Sequence, residues 1–190
     1  MLGVSPAQAA FLYIWVSVAA VVSRFIVTAL IEPMGRRGAG ILCCVGGAVT
    51  TVLAGYLYDV YIGGVSLFYV LVIAASFFGS ANYSVVGPYM AEIWPTRLRV
   101  SGMGLAYGVG NAGKIISPLG LALIIGAGDL IKPAANLDSL GLAFSYFAFW
   151  YVLGALAFWL IGIETKGRTF EEMDSTLAKS AASLQRVPAA

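Results

Sequence analysis

The chain contains no histidine, and only 11% of its 190 residues are charged. Without histidine, the commonest general base and a common zinc ligand are both missing. The two cysteines, Cys43 and Cys44, are adjacent inside an apolar run and lack CxxC spacing. They suit neither a metal site nor a mutual bridge, and read as small membrane-core residues. No nucleophile–base pair and no metal-ligand set can be assembled, so no enzyme, cofactor or metal is expected. A net charge of +2 is too weak to mark a nucleic-acid partner. The opening MLGVSPAQAA lacks the basic stretch that begins a signal peptide.

What is abundant identifies the solvent. Hydrophobic residues make up 60% of the chain, aromatics 13%, and there are 23 glycines, for a mean hydropathy of +0.90. Soluble domains are about one-quarter charged. A core of this size cannot hide so much apolar surface, so the chain must face lipid.

A helical span needs roughly 20 apolar residues, and five stretches reach that length: 10–31, 39–57, 65–91, 101–127 and 141–163. No strand pattern interrupts them, and the fold expected is all-α within the bilayer. Residues 1–163 form a five-helix transmembrane unit. Residues 164–190 form a polar tail that opens as a short surface helix. The connections EPMGRRG, YDVYIGG, WPTRLR and GDLIKPAANLDS carry turn and breaker residues. One set of polar segments holds Arg36, Arg37, Arg97, Arg99, Lys166, Arg168, Lys179 and Arg186, while the other holds Lys132 alone. By the positive-inside rule the basic set, and with it the C-terminus, is cytoplasmic. A bacterial inner membrane is the location expected.

Charge is concentrated in AEIWPTRLRVSGMG, residues 91–104. Glu92 ends a span, Pro95 stops its helix, and Arg97 and Arg99 fall in the headgroup zone. A carboxylate at that depth is costly unless paired. Arg36, Arg37, Glu164 and Arg168 lie on the same side, and a cluster of both signs there can hold helix ends together and release them. For Arg97 and Arg99, plain topological anchoring is the simpler role. For Glu92, which does nothing for topology, a charge latch with Arg36 or Arg37 is the expectation.

Three motifs then appear in order. EIWPTRLR with Gly102 and Gly104 resembles the signature at the inner end of the tenth helix in sugar-porter-like branches of the major facilitator superfamily. ETKGRTFEE resembles the PETKGRTLEE that follows their twelfth helix, and EPMGRRGAG resembles their DRxGRR loop between helices eight and nine. The resemblance covers nearly the whole chain and implies helices eight to twelve, part of the C-terminal bundle. It also implies a partner, the N-terminal half of such a transporter. Departures stand at Glu32 and Pro33, in place of Asp and Arg, and at Ile163, in place of proline. The sugar porters' patterns in helices ten and eleven are not reproduced. That moves the likeness from sugars toward the branch carrying organic anions with protons.

Charges inside spans narrow the expected site. Lys114 lies 13 positions into its span, about 20 Å deep at 1.5 Å per residue. Helical spacing aligns Tyr107, Asn111, Lys114 and Ser117, followed by Pro118. Arg24 aligns with Ser17 and Thr28, and Ser76, Ser80 and Tyr83 form a third stripe. Three such stripes can line one cavity. Lys114, Asn111, Tyr107, Ser117, Arg24, Ser80 and Tyr83 are therefore the expected solute-binding residues. Alternatives stay open: Arg24 snorkelling to the inner face, and Lys114 paired with an acid from another unit. No acid or histidine stands at mid-depth, so a coupled proton would need a carrier elsewhere. GVGNAG, residues 108–113, matches GxGxxG but lies within an apolar run with no preceding strand. Gly104 and Gly108 fit close helix packing instead.

The function expected is secondary transport of a small solute, an organic anion such as a carboxylic acid, by alternating access. The competing solute is a sugar. The competing class is a non-transporting membrane protein that binds another membrane protein.

Overall fold

The computed structural model describes residues 6–125, 139–168, 171–173 and 175. Its elements are α1 (Pro6–Tyr56), β1 (Tyr61–Ile62), β2 (Val65–Ser66), α2 (Leu67–Ile93), α3 (Arg99–Ile125) and α4 (Leu140–Leu160). Lys132, Lys179, Arg186, Asp129 and Asp138, together with residues 126–127 of the fourth expected span, lie outside the described residues.

Helices dominate, and three stretches among the described residues are long and apolar enough to cross a membrane: Ala9–Tyr56, Leu67–Ile93 and Leu140–Leu160. The first is 48 residues long. As a straight rod it would measure about 72 Å, more than twice the ~30 Å hydrocarbon layer. It is not straight. Gly35 has φ 81° and ψ 165°, outside the helical region, and splits α1 into two limbs, 6–34 and 36–56. Val27 and Ile31 of the first limb share a buried cluster with Ala39 and Cys43 of the second and with Ala81 and Val85 of α2. In an unbroken helix Val27 and Cys43 would stand about 24 Å apart, so the limbs fold back on each other. The turn between the first two spans is thus one residue, shorter than the expected EPMGRRG connection.

The second limb, α2 and α4 form the packed unit. A Cβ on Gly40 would come within 2.8 Å of the Phe158 ring, one on Gly47 within 2.8 Å of Tyr151, and one on Gly55 within 2.5 Å of Phe144. The aromatic residues recur every seven positions on α4 and meet small positions of the second limb in reverse order, an antiparallel knobs-into-holes seam. Tyr151 also sets its hydroxyl where a Cβ on Gly79 of α2 would lie, and the Phe78 ring edge fills the corresponding space at Gly46. Tyr89 and Phe158 rings meet at 5.5 Å.

The outer faces are apolar and uncovered. Phe25 is 75% exposed and Trp159 59%, which suits lipid as the surrounding medium.

α3 stands largely apart from this unit. Gly102 packs on Trp94, Gly120 on Tyr146, and the Tyr146 hydroxyl donates to the Ile116 carbonyl at 3.4 Å. Gly104, Gly108, Gly110 and Gly113 have nothing within 4 Å of where a Cβ would be. The close packing expected of Gly104 and Gly108 is not seen: among the described residues nothing packs closely on either, and the glycines that seat aromatic rings in the packed unit lie in α1 and α2. The GxGxxG spacing of Gly108, Gly110 and Gly113 falls inside a continuous helix, as no phosphate-binding turn would. One further difference is small: β1 and β2 form a two-stranded antiparallel hairpin, pairing Tyr61 with Ser66 and Ile62 with Val65. The expectation of a chain without strands does not hold at this turn. Two residues per strand are too few to show an alternating pattern.

Candidate functional site

Two places gather polar groups. The first is the end of the bundle where Gly35 turns the chain. α2 stops at Ile93 because Trp94 precedes Pro95 and is extended, with φ −96° and ψ 134°. This leaves Glu92 on the last turn, facing the start of the second limb. Arg36 donates to it through two nitrogens, Nε to Oε2 at 2.8 Å and a terminal nitrogen to Oε1 at 2.5 Å. The Thr165 hydroxyl donates to the same Oε2 at 2.5 Å. The Arg36 and Glu92 side chains are 23% and 19% exposed. A two-pronged guanidinium–carboxylate pair in such a half-buried place is stronger and more directional than an exposed pair.

Around this pair, three helix ends receive charges of the sign their dipoles favour. The Glu164 carboxylate accepts the backbone N–H of Arg36 at 3.0 Å and of Arg37 at 3.3 Å, capping the first turn of the second limb. Lys166 Nζ donates at 2.7 Å to the carbonyl of Pro33, at the end of the first limb. Arg37 donates through Nε to the Phe158 carbonyl at 3.1 Å and through a terminal nitrogen to the Trp159 carbonyl, at the end of α4. The Tyr89 hydroxyl accepts the N–H of Ile163 at 2.8 Å. Both limbs of α1, α2, α4 and the segment after α4 are thereby joined.

Of the charges expected here, Glu92, Arg36, Arg37 and Glu164 meet. Arg97 and Arg168 are exposed and, among the described residues, join neither carboxylate. Arg99 donates to the Thr96 hydroxyl at 3.4 Å.

The second place is a cavity of about 510 Å³ between α2, α3 and α4. Its wall is aromatic, from Phe147, Trp150, Tyr151 and Tyr83, and its polar residues include Asn82 and Ser117 besides the two tyrosines. Asn82 Oδ1 is buried with no hydrogen-bond partner among the described residues. Asn82 also borders an apolar cavity of about 500 Å³ between α2 and α4, whose wall includes Trp94. An aromatic slot with a few hydrogen-bonding groups is the usual character of a small-molecule site.

The structure brings Ser117 and Tyr83 of the expected solute residues into this cavity. Lys114, Asn111 and Tyr107 share the exposed face of α3 and do not line it, and Ser80 is half-buried on α2. Arg24 lies with Thr28 and Glu32 along the exposed side of the first limb. The three stripes are not gathered into one cavity among the described residues. Asn82, Trp150 and Tyr151 were not singled out from the sequence. Asn82 lies beside Tyr83 but off the 76–80–83 stripe, and the aromatic residues of α4 are indistinguishable from lipid-facing ones by composition.

Residues 1–177 match the family model described as sugar (and other) transporter. The chain is 31% identical over 170 residues to the "Probable 4-methylmuconolactone transporter" of Cupriavidus pinatubonensis, covering 87% of this chain and 36% of that protein. It is 29% identical over 143 residues to the "Synaptic vesicle 2-related protein" of Rattus norvegicus, covering 75% of this chain and 23% of that one. The chain thus spans about a third or less of the curated relatives it matches.

Proposed function

The chain belongs to the sugar (and other) transporter family of the major facilitator superfamily, an integral membrane family, and from that premise we propose that it forms part of the C-terminal bundle of a secondary transporter for a small organic anion. Transport proceeds by alternating access, with the charged end as one of its gates. The observation that carries this reading is the Arg36–Glu92 pair with its Thr165 and Glu164 supports. It links segments far apart in sequence at one end of the bundle, where a gate must hold helix ends together and then release them. While the pair is made, that end is shut. Breaking it exposes two desolvated charges to water entering from that side, which offsets the lost attraction.

The nature of the solute rests on different support. Lys114 and Arg24 are cations within helices of spanning length, and among the described residues neither makes an ion pair with an acid. A relative is named for an organic solute, 4-methylmuconolactone. Lys114, on the exposed face of α3, draws the anion in, with Asn111 and Tyr107 orienting it on approach, and the neighbouring cavity bounded by Asn82, Tyr83 and Ser117 then receives its apolar body. Proton coupling is part of the proposal, with the proton carrier on another segment. The exposed face of α3, with Gly104 and Gly108 open on it, supports a completing partner, the N-terminal half of the transporter, packed against it.

The test is uptake by the full-length transporter carrying this segment, against a panel of organic acids and sugars. Saturable uptake of a carboxylic acid that is lost in Glu92→Gln and Lys114→Ala supports the reading. Uptake of sugars alone, or unchanged uptake in both variants, overturns it.

A further inference from the structure

The ten residues 57–66, LYDVYIGGVS, connect the second limb of α1 to α2 and contain one charge, Asp59. They form the β1–β2 hairpin. Gly63 and Gly64 have φ +60° and +84°, the two positive values that a two-residue type I′ turn requires. The N–H of Leu67 donates to the Val60 carbonyl at 2.9 Å, carrying the pairing down to the root of α2. The ribbon has a defined geometry, yet its side chains are of the wrong kind for water. Tyr61 is 67% exposed, Ile62 65% and Val65 54%, and nothing lies near the tip glycines. A lone two-stranded ribbon with apolar sides and unpaired edges is marginal in water.

Its position says what covers it. Tyr56 ends one lipid-facing helix and Leu67 begins the next, so the ribbon is rooted at the edge of the hydrocarbon layer. Three residues of strand reach about 10 Å, whereas the headgroup layer is roughly 5–7 Å deep on each side. Standing upright, the ribbon would lift its apolar tip into water. Leaning over, it keeps Tyr61, Ile62 and Val65 within the layer where tyrosine is enriched.

We propose that this hairpin is an interfacial anchor. It lies in the headgroup–acyl boundary at the end of the bundle remote from Arg36 and Glu92, with Ile62 and Val65 on the face toward the acyl chains and Tyr61, on the opposite face, at headgroup level. Its apolar surface continues the lipid-facing surface of the helices on either side, and it holds their ends at a fixed depth while the opposite end opens and closes. The anchor concerns the chain's seating in the bilayer and stands independently of which solute is carried.

The experiment places a nitroxide at Ile62→Cys in a chain with Cys43 and Cys44 replaced by alanine, reconstituted in phosphatidylcholine–phosphatidylglycerol vesicles. Collision with oxygen is compared with collision with a water-soluble nickel chelate. Val45→Cys on the exposed side of the second limb serves as the lipid reference, and Ser175→Cys in the tail as the aqueous one. The expected oxygen-to-nickel ratio at residue 62 is several-fold above that at residue 175 and below that at residue 45. Val65→Cys should behave like residue 62, and adding Ile62→Asp, on the same face, should drop its ratio to the aqueous value. A ratio at both sites equal to that at residue 175 overturns the anchor. So does exclusion of both reagents, which would mean that the hairpin packs on protein as a lid.

Discussion

Gly35 and Glu164 occupy one another's space: a Cβ on Gly35 would come within 2.5 Å of Glu164 Oε2. The carboxylate reaches the N–H groups of Arg36 and Arg37 only because position 35 has no side chain and takes a positive φ. The break in α1, the cap on its second limb and the course of the chain after α4 are a single arrangement.

Gly35→Ala should therefore be costly in two ways. The positive-φ, extended-ψ conformation, open essentially to glycine alone, adds roughly 1–3 kcal/mol for a residue with a Cβ, and the methyl group displaces Glu164. Glu164→Ala should lose the cap alone, typically about 1 kcal/mol. Thermal unfolding of both variants in detergent checks the order, with Gly35→Ala the less stable. Equal stability of Gly35→Ala and wild type would contradict the arrangement.

The Arg36–Glu92 pair should show energetic coupling. Arg36→Ala, Glu92→Ala and the double variant form a cycle whose coupling we expect at roughly 0.5–3 kcal/mol, because the side chains are half-buried and doubly bonded. In the full-length transporter, Glu92→Gln should make cysteines at the charged end more accessible to a membrane-impermeant reagent. Unchanged accessibility would remove the gate role and leave a structural pair.

Different glycines should respond differently. In this chain Gly47→Leu drives a side chain into the Tyr151 ring and should cost roughly 1–3 kcal/mol. Gly108→Ala meets open space and gains helix propensity of up to about 1 kcal/mol. Melting temperatures of the two variants should move in opposite directions.

Lys114 is tested by charge. In the full-length transporter, Lys114→Ala should abolish binding of the anionic solute and Lys114→Arg should retain part of it. Asn82→Leu should weaken binding without removing its dependence on charge. Normal binding by Lys114→Ala makes the lysine structural.

Orientation remains a prediction from lysine and arginine counts. A reporter enzyme active only in the periplasm, fused after Ala190, should be silent in a bacterial host. Strong activity would invert the topology.

The lipid solvent, the helical class and the family were legible from composition, apolar run length and three motifs, because each is a local property of the chain. Glu92 was legible too, since a lone acid at a helix end in lipid demands a partner. Its choice of Arg36, with Arg37 turned to the α4 carbonyls, was not. That depends on one residue's rotation about the second limb and on where α4 stops. The caps by Glu164 and Lys166 run from side chain to backbone across about 130 positions, and no periodicity records such pairs. Asn82 and Tyr151 emerged only once three helices stood side by side. Close packing was assigned to Gly104 and Gly108 by spacing, yet spacing holds equally for a face that meets a ring and one that meets nothing. The sequence by itself determined what surrounds this protein and that it is helical, because hydrophobic content and run length are additive along a chain. Only the tertiary structure decided which charges meet and which glycines pack, because those are set by the rotation and depth of each helix against its neighbours.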